Sequence, residues 1–267
     1  MDLGIEGAHA VVAGGSKGMG RAVAEILAAD GANVAVMARG KEALDETVQV
    51  LRAAGSPDAV GIGVDMADPG SISDGYGEVA QRWGSLNILV HTIGPRDGTF
   101  DALDDQGWAD AITLGTMSAV RNVRAALPLL RAAEWGRIAI FSAHSIQRQS
   151  PRLVAYTASK AAVTSLAKNL AKTLAPEGIL VNTVCPGTIV TASFTENLKP
   201  VFAAENLDPS DPDDVMAWID KVFHQPADLG RAGLPDEVAS LTAYLVSRRN
   251  GYVTGACVNA DGGSDFV

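Results

Sequence analysis

The stretch AHAVVAGGSKGMGRAVAEIL, residues 8–27, decides the fold of this 267-residue chain. Its first six residues are an apolar run typical of a buried strand, and helical periodicity begins with Val23, Ile26 and Leu27. The glycines between them let the backbone approach a pyrophosphate, while the helix N-terminus supplies N–H donors and a partial positive charge. A strand, a glycine turn and a helix in this order predict a phosphate-binding loop. Its predicted binding residues are Gly14, Ser16, Lys17, Gly18, Met19 and Gly20.

Strands and helices alternate along the rest of the chain. Apolar runs predict further strands at 33–37, 59–64, 86–90, 137–141, 180–184 and 256–259. Helical periodicity predicts helices at 41–54, 69–83, 104–131, about 156–175, and from 235 onward. Asp68 and Pro69 are predicted to be the N-cap and the first-turn proline of the second of these. The alternation predicts an α/β fold of Rossmann type, with a doubly wound parallel sheet of about seven strands and helices on both faces. We expect residues 1–267 to form one three-layer αβα domain.

The composition argues against several classes of partner. With 21 basic and 31 acidic residues the net charge is −10, which disfavours nucleic acid or an anionic membrane as the main partner. No uninterrupted apolar run reaches the ~18 residues that a membrane span requires. The cysteines, Cys185 and Cys257, form no CxxC pair, and the four histidines show no metal-ligand spacing. We therefore predict a cytoplasmic protein that binds no metal, nucleic acid or membrane.

A basic residue, Arg39, follows the second predicted strand, where dinucleotide-binding units often carry an acid for the adenosine ribose. A guanidinium group suits a 2′-phosphate, and Lys17 in the glycine turn adds a second positive charge. The pattern favours NADP(H) as cofactor, with NAD(H) as the second possibility. The alternative interpretation is that both side chains are only solvated surface cations.

Tyr156 and Lys160 stand four residues apart in a predicted helix, which places them on one face with Cβ atoms about 5–6 Å apart. A free phenol titrates near ~10, and an ammonium group beside it favours the phenolate. The pair can therefore move a proton to or from a hydroxyl or carbonyl oxygen. Taken alone, the same spacing is also common on exposed helix faces, where it has only a structural role.

Together these motifs resemble the short-chain dehydrogenase/reductase family over nearly the whole chain. The other matching features are a C-terminal signature at 254–263 and a loop at 186–191 that begins with Pro-Gly. The resemblance implies that this loop holds the nicotinamide carboxamide and the phosphates. The resemblance implies that Tyr156 exchanges a proton with the substrate oxygen, and that Lys160 lowers the pKa of the tyrosine and binds the nicotinamide ribose. It also implies that Asp65 holds the adenine amino group. The further cofactor-binding residues that it implies are Met66, Ile93, Gly94, Pro186, Gly187, Ile189 and Thr191.

The sequence departs from the family at the carbonyl-polarising serine. That residue normally stands thirteen positions before the tyrosine, and the corresponding residue here is Ala143. Ser142 and Ser145 flank it, and either hydroxyl could take over the role if the loop is shifted. His144 is a third possible donor. We therefore regard Ser142 and Ser145, with Tyr156, as the candidate catalytic hydroxyls.

Three further departures surround the same site. The family's asparagine that holds a relay water falls on Gly115, where the missing side chain leaves room for a water or a substrate group, or allows a kink. The usual Asn-Asn-Ala-Gly reads HTIG at 91–94, and the threonine that leads the glycine motif is replaced by Ala13. The cofactor loops and the Tyr-Lys pair remain.

Two functions of different class follow from this pattern. The first is an NADP(H)-linked oxidoreductase that reduces a ketone or 3-oxo group, or oxidises a secondary alcohol, with Tyr156 as acid/base and Lys160 as its partner. The alternative is a degenerate dinucleotide-binding protein that senses or scaffolds without turnover. The retained phenol favours the enzyme, because cofactor binding alone does not require it.

Residues 191–230 interrupt the strand–helix alternation, and we predict that they form a substrate lid. A merely structural helical flap is the competing interpretation. The segment carries apolar side chains at Phe194, Leu198, Val201, Phe202, Met216, Trp218, Ile219 and Phe223. These side chains favour a moderately large apolar ketone or alcohol.

An acyl group on a carrier protein is one possible form of such a substrate, and Arg148 and Arg152 are then candidates for contacting an acidic carrier. The competing interpretation is that both are solvated loop charges. The helix from Tyr156 also carries an apolar stripe, with Ala162, Val163, Leu166 and Leu170, which is either core or interface. From the family resemblance we expect a homotetramer.

Overall fold

A parallel sheet forms the centre of the computed structural model, which describes residues 2–95, 98–224 and 226–264. Its strands are β1 (His9–Ala13), β2 (Asn33–Ala38), β3 (Ala59–Gly63), β4 (Ile88–His91), β5 (Gly136–Phe141), β6 (Ile179–Pro186) and β7 (Cys257–Ala260). Their order is β3-β2-β1-β4-β5-β6-β7, and each pair is parallel. The predicted doubly wound sheet is confirmed.

Helices cover both faces of this sheet. Those of the described residues are α1 (Gly18–Ala29), α2 (Lys41–Ala54), α3 (Pro69–Trp83), α4 (Asp105–Ile112), α5 (Ser118–Arg131), α6 (Val154–Leu174), α7 (Ala192–Glu205), α8 (Pro212–Phe223) and α9 (Pro235–Val246). One apolar cluster packs α1, α2 and α9 on one face, and a second packs α3, α5 and α6 on the other. Within the described ranges, no helix combines the length and apolar character that crossing a bilayer requires.

Local sequence signals set the helix ends. The Asp68 side chain accepts a hydrogen bond from the Gly70 N–H at 2.9 Å, and Pro69 occupies the first turn of α3. This is the N-cap and first-turn proline that the sequence predicts. Gly55, with φ of 122°, follows the last residue of α2, where a side chain would be strained.

The functional edge of the sheet lies where β1 and β4 are neighbours. β1 pairs with β2 on one side and with β4 on the other, so the connections from β1 and β4 leave in opposite directions. Such a switch point opens a crevice at the carboxyl ends of the strands, where ligands bind in open α/β sheets. The glycine turn after β1 and the segment after β4 both end at this crevice.

The predicted helix over 104–131 contains a π-helical turn, Thr113–Met117, between α4 and α5. Gly115 is buried in this turn, and a Cβ atom there would lie 2.7 Å from the Ser159 Cβ and 3.0 Å from the Pro95 Cδ. The expectation that a missing side chain leaves room for a water or a substrate group is therefore wrong, because Ser159 and Pro95 fill the place. The helix contains a π turn at this position.

Apart from residue 225, the segment 191–230 is described and is largely helical. Its two helices, α7 and α8, enclose a separate apolar cluster around Phe202, Val215 and Met216. Other predicted lid side chains, Phe194, Leu198 and Trp218 among them, pack on this cluster only partly buried, and Val201 is exposed. The segment thus has a small core of its own beside the main sheet.

Substituting Gly115→Ala is expected to lower the free energy of unfolding by about 1–3 kcal/mol, because the new methyl group overlaps Ser159 in a packed helix contact. Chemical denaturation monitored by circular dichroism measures the change. Gly77→Ala in α3 is the matched control, since a Cβ there meets nothing within 4 Å, and it should be neutral or stabilising. Adding Ser159→Gly to the Gly115 variant should recover part of the loss. Equal effects of the two alanines would contradict the packing argument.

Candidate active site

A cavity of about 760 Å³ opens at the carboxyl ends of β1, β2 and β4. We call it the glycine-loop cavity. Its lining brings together most of the residues that the sequence predicted to bind a cofactor. These are Gly14, Ser16, Lys17, Gly18, Met19, Gly20, Arg39, Asp65, Met66, Ile93, Gly94 and Thr191.

Close backbone packing explains the glycines of this cavity. Gly14 has φ of +86°, and a Cβ there would lie 2.9 Å from the Ile93 Cδ1. A Cβ at Gly20 would lie 2.9 Å from the carbonyl carbon of Gly14, so α1 and the turn before it touch through backbone alone. No side chain of the described residues caps the N-terminus of α1. Its first N–H groups therefore remain available to a phosphate, and the turn fits a dinucleotide.

The outer end of the cavity carries unneutralised positive charge. Arg39 and Lys17 are both exposed there, and neither forms an ion pair within the described residues. The nearby carboxylates of Glu25 and Glu46 are instead bound to Arg21, each at 2.8 Å. Asp65 lies along the same cavity, and its Oδ1 accepts a hydrogen bond from the Ala67 N–H at 2.9 Å.

A second cavity of about 420 Å³ adjoins the first, and we call it the tyrosine cavity. Met19 and Thr191 line both cavities, so the two are adjacent at these residues. Its inner wall consists of Ala143, His144, Ser145, Tyr156, Pro186, Gly187 and Ile189. Its outer wall consists of Leu153 and the lid side chains Phe194, Leu198, Trp218, Ile219 and Phe223. The cavity is therefore polar where Tyr156 lies and apolar beyond it.

Lys160 lies buried beneath the tyrosine, with its Nζ 5.9 Å from the centre of the Tyr156 ring. The ammonium group donates to the carbonyl oxygens of Phe141 at 2.7 Å and Ile93 at 2.8 Å. Burial lowers the pKa of Lys160 to about 8, so the group is mostly protonated at neutral pH. A Cβ at Gly94 would lie 3.3 Å from the Lys160 Cε, which shows how closely the backbone passes this pair.

The two candidate serines differ in orientation. The Ser142 hydroxyl is buried, donates to the Lys160 backbone carbonyl at 3.0 Å and accepts from the Thr164 hydroxyl at 2.8 Å. It does not line the tyrosine cavity, so the structure disfavours the interpretation of Ser142 as a catalytic hydroxyl. Ser145 lines the cavity together with Tyr156, and its Oγ accepts from the Thr157 hydroxyl at 3.1 Å. Its own O–H is then left to donate.

The predicted nicotinamide loop, residues 186–191, is held from three sides. The Gly187 N–H donates to the Ala260 carbonyl oxygen at 3.0 Å, and a Cβ at Gly187 would lie 2.7 Å from the Asp261 Cα. The His144 Nδ1 lies 3.2 Å from the Pro186 carbonyl oxygen, so this histidine contacts the loop backbone. The Thr191 hydroxyl accepts from the Phe194 N–H at 3.2 Å and caps α7. The loop therefore joins the sheet to the lid.

His91 occupies the end of β4 in a fully buried position, where its Nε2 lies 3.0 Å from the Ser118 Oγ. Burial, with a smaller contribution from the charge of Lys160, lowers the pKa of His91 to about 3. The ring is thus neutral at physiological pH, and its place in the site is structural. The neighbouring Thr92 donates to the Ala13 carbonyl oxygen at 3.0 Å and so ties β4 to the glycine turn.

Sequence reasoning missed three residues of α6 that support the site. Thr157 donates to the Ser145 hydroxyl and Thr164 donates to the Ser142 hydroxyl. Ser159 packs against Gly115 in the π turn. Each lies on α6 near Tyr156, but helical periodicity gives only the face of a residue and not its partner on a distant loop. No local signal in the sequence pairs Thr157 with Ser145, which are 12 residues apart.

Comparison with known proteins identifies the family. A family model described as enoyl-(acyl carrier protein) reductase matches residues 13–265, which include the glycine turn, Tyr156 and Lys160. The chain belongs to the short-chain dehydrogenase/reductase family. As a member, it is an oxidoreductase that acts on CH–OH or C=O groups.

Similar proteins extend over the whole chain. The 3-oxoacyl-(acyl-carrier-protein) reductase FabG of Escherichia coli K12 is 31% identical over 266 residues, covering 99% of this chain and 100% of its own. The short-chain reductase protein NovJ of Streptomyces niveus is 31% identical over 95% of this chain and 92% of its own. The L-sorbose reductase of Gluconobacter frateurii, solved with NADPH and L-sorbose, superimposes with a TM-score of 0.92 at 28% identity over 100% of both chains.

The buried His91 should make stability fall in mild acid. Because its folded pKa, about 3, lies below the unfolded value of about 6.5, the unfolded chain binds more protons between these values. The free energy of unfolding should therefore fall with decreasing pH. The fall should be steeper than in His91→Asn by up to about 1.4 kcal/mol per pH unit, because asparagine does not titrate in this pH range. Urea denaturation from pH ~7 to ~4 compares the two slopes. Equal slopes would mean that the folded imidazole takes up its proton over the same pH range as in the unfolded chain.

Proposed function

We propose that the protein is an NADP(H)-linked oxidoreductase that reduces a ketone or 3-oxo group, or oxidises the corresponding secondary alcohol. The observation that carries this proposal is the buried Lys160 cation beneath Tyr156, at the wall of a cavity that adjoins the glycine-loop cavity. A buried ammonium group next to a phenol favours the phenolate form. The phenol can then exchange a proton near neutral pH. Cofactor binding alone would not need the phenol of Tyr156.

The proposed roles divide between cofactor and protein. NADPH, when bound, supplies the hydride. Tyr156 donates the proton to the substrate oxygen in reduction and accepts it in oxidation. Lys160 lowers the pKa of the phenol and offers its third N–H to the nicotinamide ribose, because two of its donors already bind the carbonyl oxygens of Phe141 and Ile93.

The preference for NADP(H) over NAD(H) is supported by the charge at the outer end of the glycine-loop cavity. Arg39 and Lys17 have no carboxylate partner among the described residues, so a 2′-phosphate would neutralise both. The structurally similar L-sorbose reductase was solved with NADPH. Asp65, along the same cavity, is proposed to hold the adenine amino group.

We further propose that Ser145 replaces the family serine that Ala143 lacks. Its hydroxyl lies in the tyrosine cavity, and Thr157 donates to it, which leaves the Ser145 O–H free to polarise a substrate carbonyl. Ser142 is engaged with the backbone of α6 and with Thr164. The carbonyl would then lie between Ser145 and Tyr156.

The substrate proposed for this cavity is a ketone or secondary alcohol with an apolar body, enclosed by the lid of residues 191–230. The apolar wall formed by Leu198, Trp218 and Phe223 supports this choice. A carrier-linked acyl group is the second candidate, which the likeness to FabG favours. Of the two arginines considered for a carrier, Arg148 donates to the Ser264 and His224 carbonyl oxygens, whereas Arg152 lies over the Phe223 ring at the rim.

A homotetramer in the cytoplasm remains our proposal for the state of the protein. In the stripe on α6, Val163 is buried in the main core, while Ala162 is exposed and Leu166 and Leu170 are partly buried. The exposed part of the stripe, together with the family, supports packing of α5 and α6 against a second copy. We propose one domain with its lid as the protomer.

Titration with NADPH and NADH, followed by a ketone-reduction screen on wild type and Tyr156→Phe, tests the proposed function. We expect NADPH to be preferred and Tyr156→Phe to lower kcat by about 100-fold or more, because it removes the transferred proton. Cofactor affinity should be retained in the variant. Binding of NADPH without any Tyr156-dependent turnover would instead favour the sensing or scaffolding protein.

Ser145→Ala should lower kcat by about 100-fold, as loss of one donor to a developing oxyanion does, with a smaller change in cofactor affinity. Ser142→Ala is the matched control and should mainly lower stability, by about 1–2 kcal/mol, because its partners lie in the core. The double variant Ala143→Ser/Ser145→Ala should recover activity by restoring the donor at the family position. Steady-state kinetics measure all three, and a larger loss in the Ser142 variant would contradict the assignment.

A further inference from the structure

The cysteines form an unexpected pair beside the proposed nicotinamide loop. The chain contains two of them, Cys185 on β6 and Cys257 on β7, and their Sγ atoms lie 2.9 Å apart. Cys185 is fully buried, whereas Cys257 is exposed. Nothing in the proposed reaction uses either thiol.

The register of the strands shows what a covalent bond would require. Cys257 pairs with Thr183, and Cys185 pairs with Asn259, so the cysteines are diagonal neighbours whose side chains share one face. Neighbouring strands lie about 4.8 Å apart and rise about 3.3 Å per residue, so Cα atoms two residues out of register lie about 8 Å apart, beyond the ~6.8 Å limit of a disulfide. Because hydrogen-bonded strands cannot come closer sideways, bond formation requires β7 to slide along β6 by about 2 Å. β7 can move because it is a four-residue edge strand paired on one side, with β6.

We propose that Cys257 and Cys185 form a site of reversible oxidation by a peroxide. The Cys257 thiolate attacks one peroxide oxygen, breaks the O–O bond and becomes a sulfenic acid, releasing hydroxide that takes up a proton as water. The Cys185 sulfur then attacks the Cys257 sulfur, the S–O bond breaks, and a second water leaves as the disulfide forms. Two thiols are oxidised and one peroxide is reduced to two waters.

The environments of the thiols support this order. Cys257 is open to solvent, which suits the first attack. The hydrogen bond with Cys257 and burial raise the pKa of Cys185, so the buried thiol is the poorer first nucleophile. Its Sγ already contacts the sulfur that it would have to attack.

Oxidation should weaken cofactor binding, a consequence that rests on the proposed function. Cys185 directly precedes Pro186, and the Gly187 N–H donates to the carbonyl oxygen of Ala260 at the end of β7. A Cβ at Gly187 would lie 2.7 Å from the Asp261 Cα, so the loop has no space to absorb a shift of β7. We expect NADPH affinity to fall several-fold in the oxidised protein.

Intact-protein mass spectrometry and thiol counting after hydrogen peroxide test the site without reference to activity. Wild type should lose both thiols and the mass of two hydrogen atoms while remaining monomeric on non-reducing gels, and dithiothreitol should restore it. Cys257→Ser should keep its buried thiol. Cys185→Ser should stop at a sulfenic acid, which a dimedone probe traps.

Other results would overturn the proposal. Disulfide-linked dimers would show that Cys257 reacts with a second copy, and oxidation of Cys257 with a free Cys185 thiol would show that the pair does not close. Unchanged NADPH affinity in the disulfide form would refute the coupling to the loop. Failure of reduced wild type to bind NADPH would count against the proposed function alone, since the mass change does not depend on it.

Discussion

The buried ammonium group of Lys160 connects the elements that make up the site. Its Nζ donates to the Phe141 carbonyl oxygen at the end of β5 and to the Ile93 carbonyl oxygen after β4, while its own helix carries Tyr156. A buried cation is costly unless polar groups surround it, and here two backbone carbonyls supply part of what water would. Burial still lowers the pKa of this lysine to about 8. The buried charge keeps these two hydrogen bonds only while β4, β5 and α6 hold their relative positions.

The residues that depart from the family pattern surround Lys160 and Tyr156 but include neither of them. Gly115 fits because Ser159 and Pro95 occupy the space of a side chain. His91 stays neutral in the core beside Ser118. Both replacements are accommodated within the core, and Lys160 and Tyr156 remain adjacent.

Much of the fold follows from local patterns in the sequence. The bounds predicted for α2 agree with the structure, as do the N-cap at Asp68 and the strand before Gly14, because each depends on neighbouring residues alone. The π turn at 113–117 did not follow, since it depends on how Gly115 packs against α6. Several strands begin or end one or two residues away from the predicted bounds. Pairing with neighbouring strands decides where a ladder ends, and that pairing is not local in the sequence.

By itself, the sequence determined the α/β class, the glycine turn and the pairing of Tyr156 with Lys160, because these depend on spacings within one strand, turn or helix. Only the tertiary structure shows that the Ser142 hydroxyl bonds to the backbone of α6, whereas Ser145 lines the tyrosine cavity. It also brought Cys185 and Cys257 together from positions 72 apart. Contacts between distant segments depend on sheet order and register, and no local spacing in the chain encodes a particular side-chain partner across them.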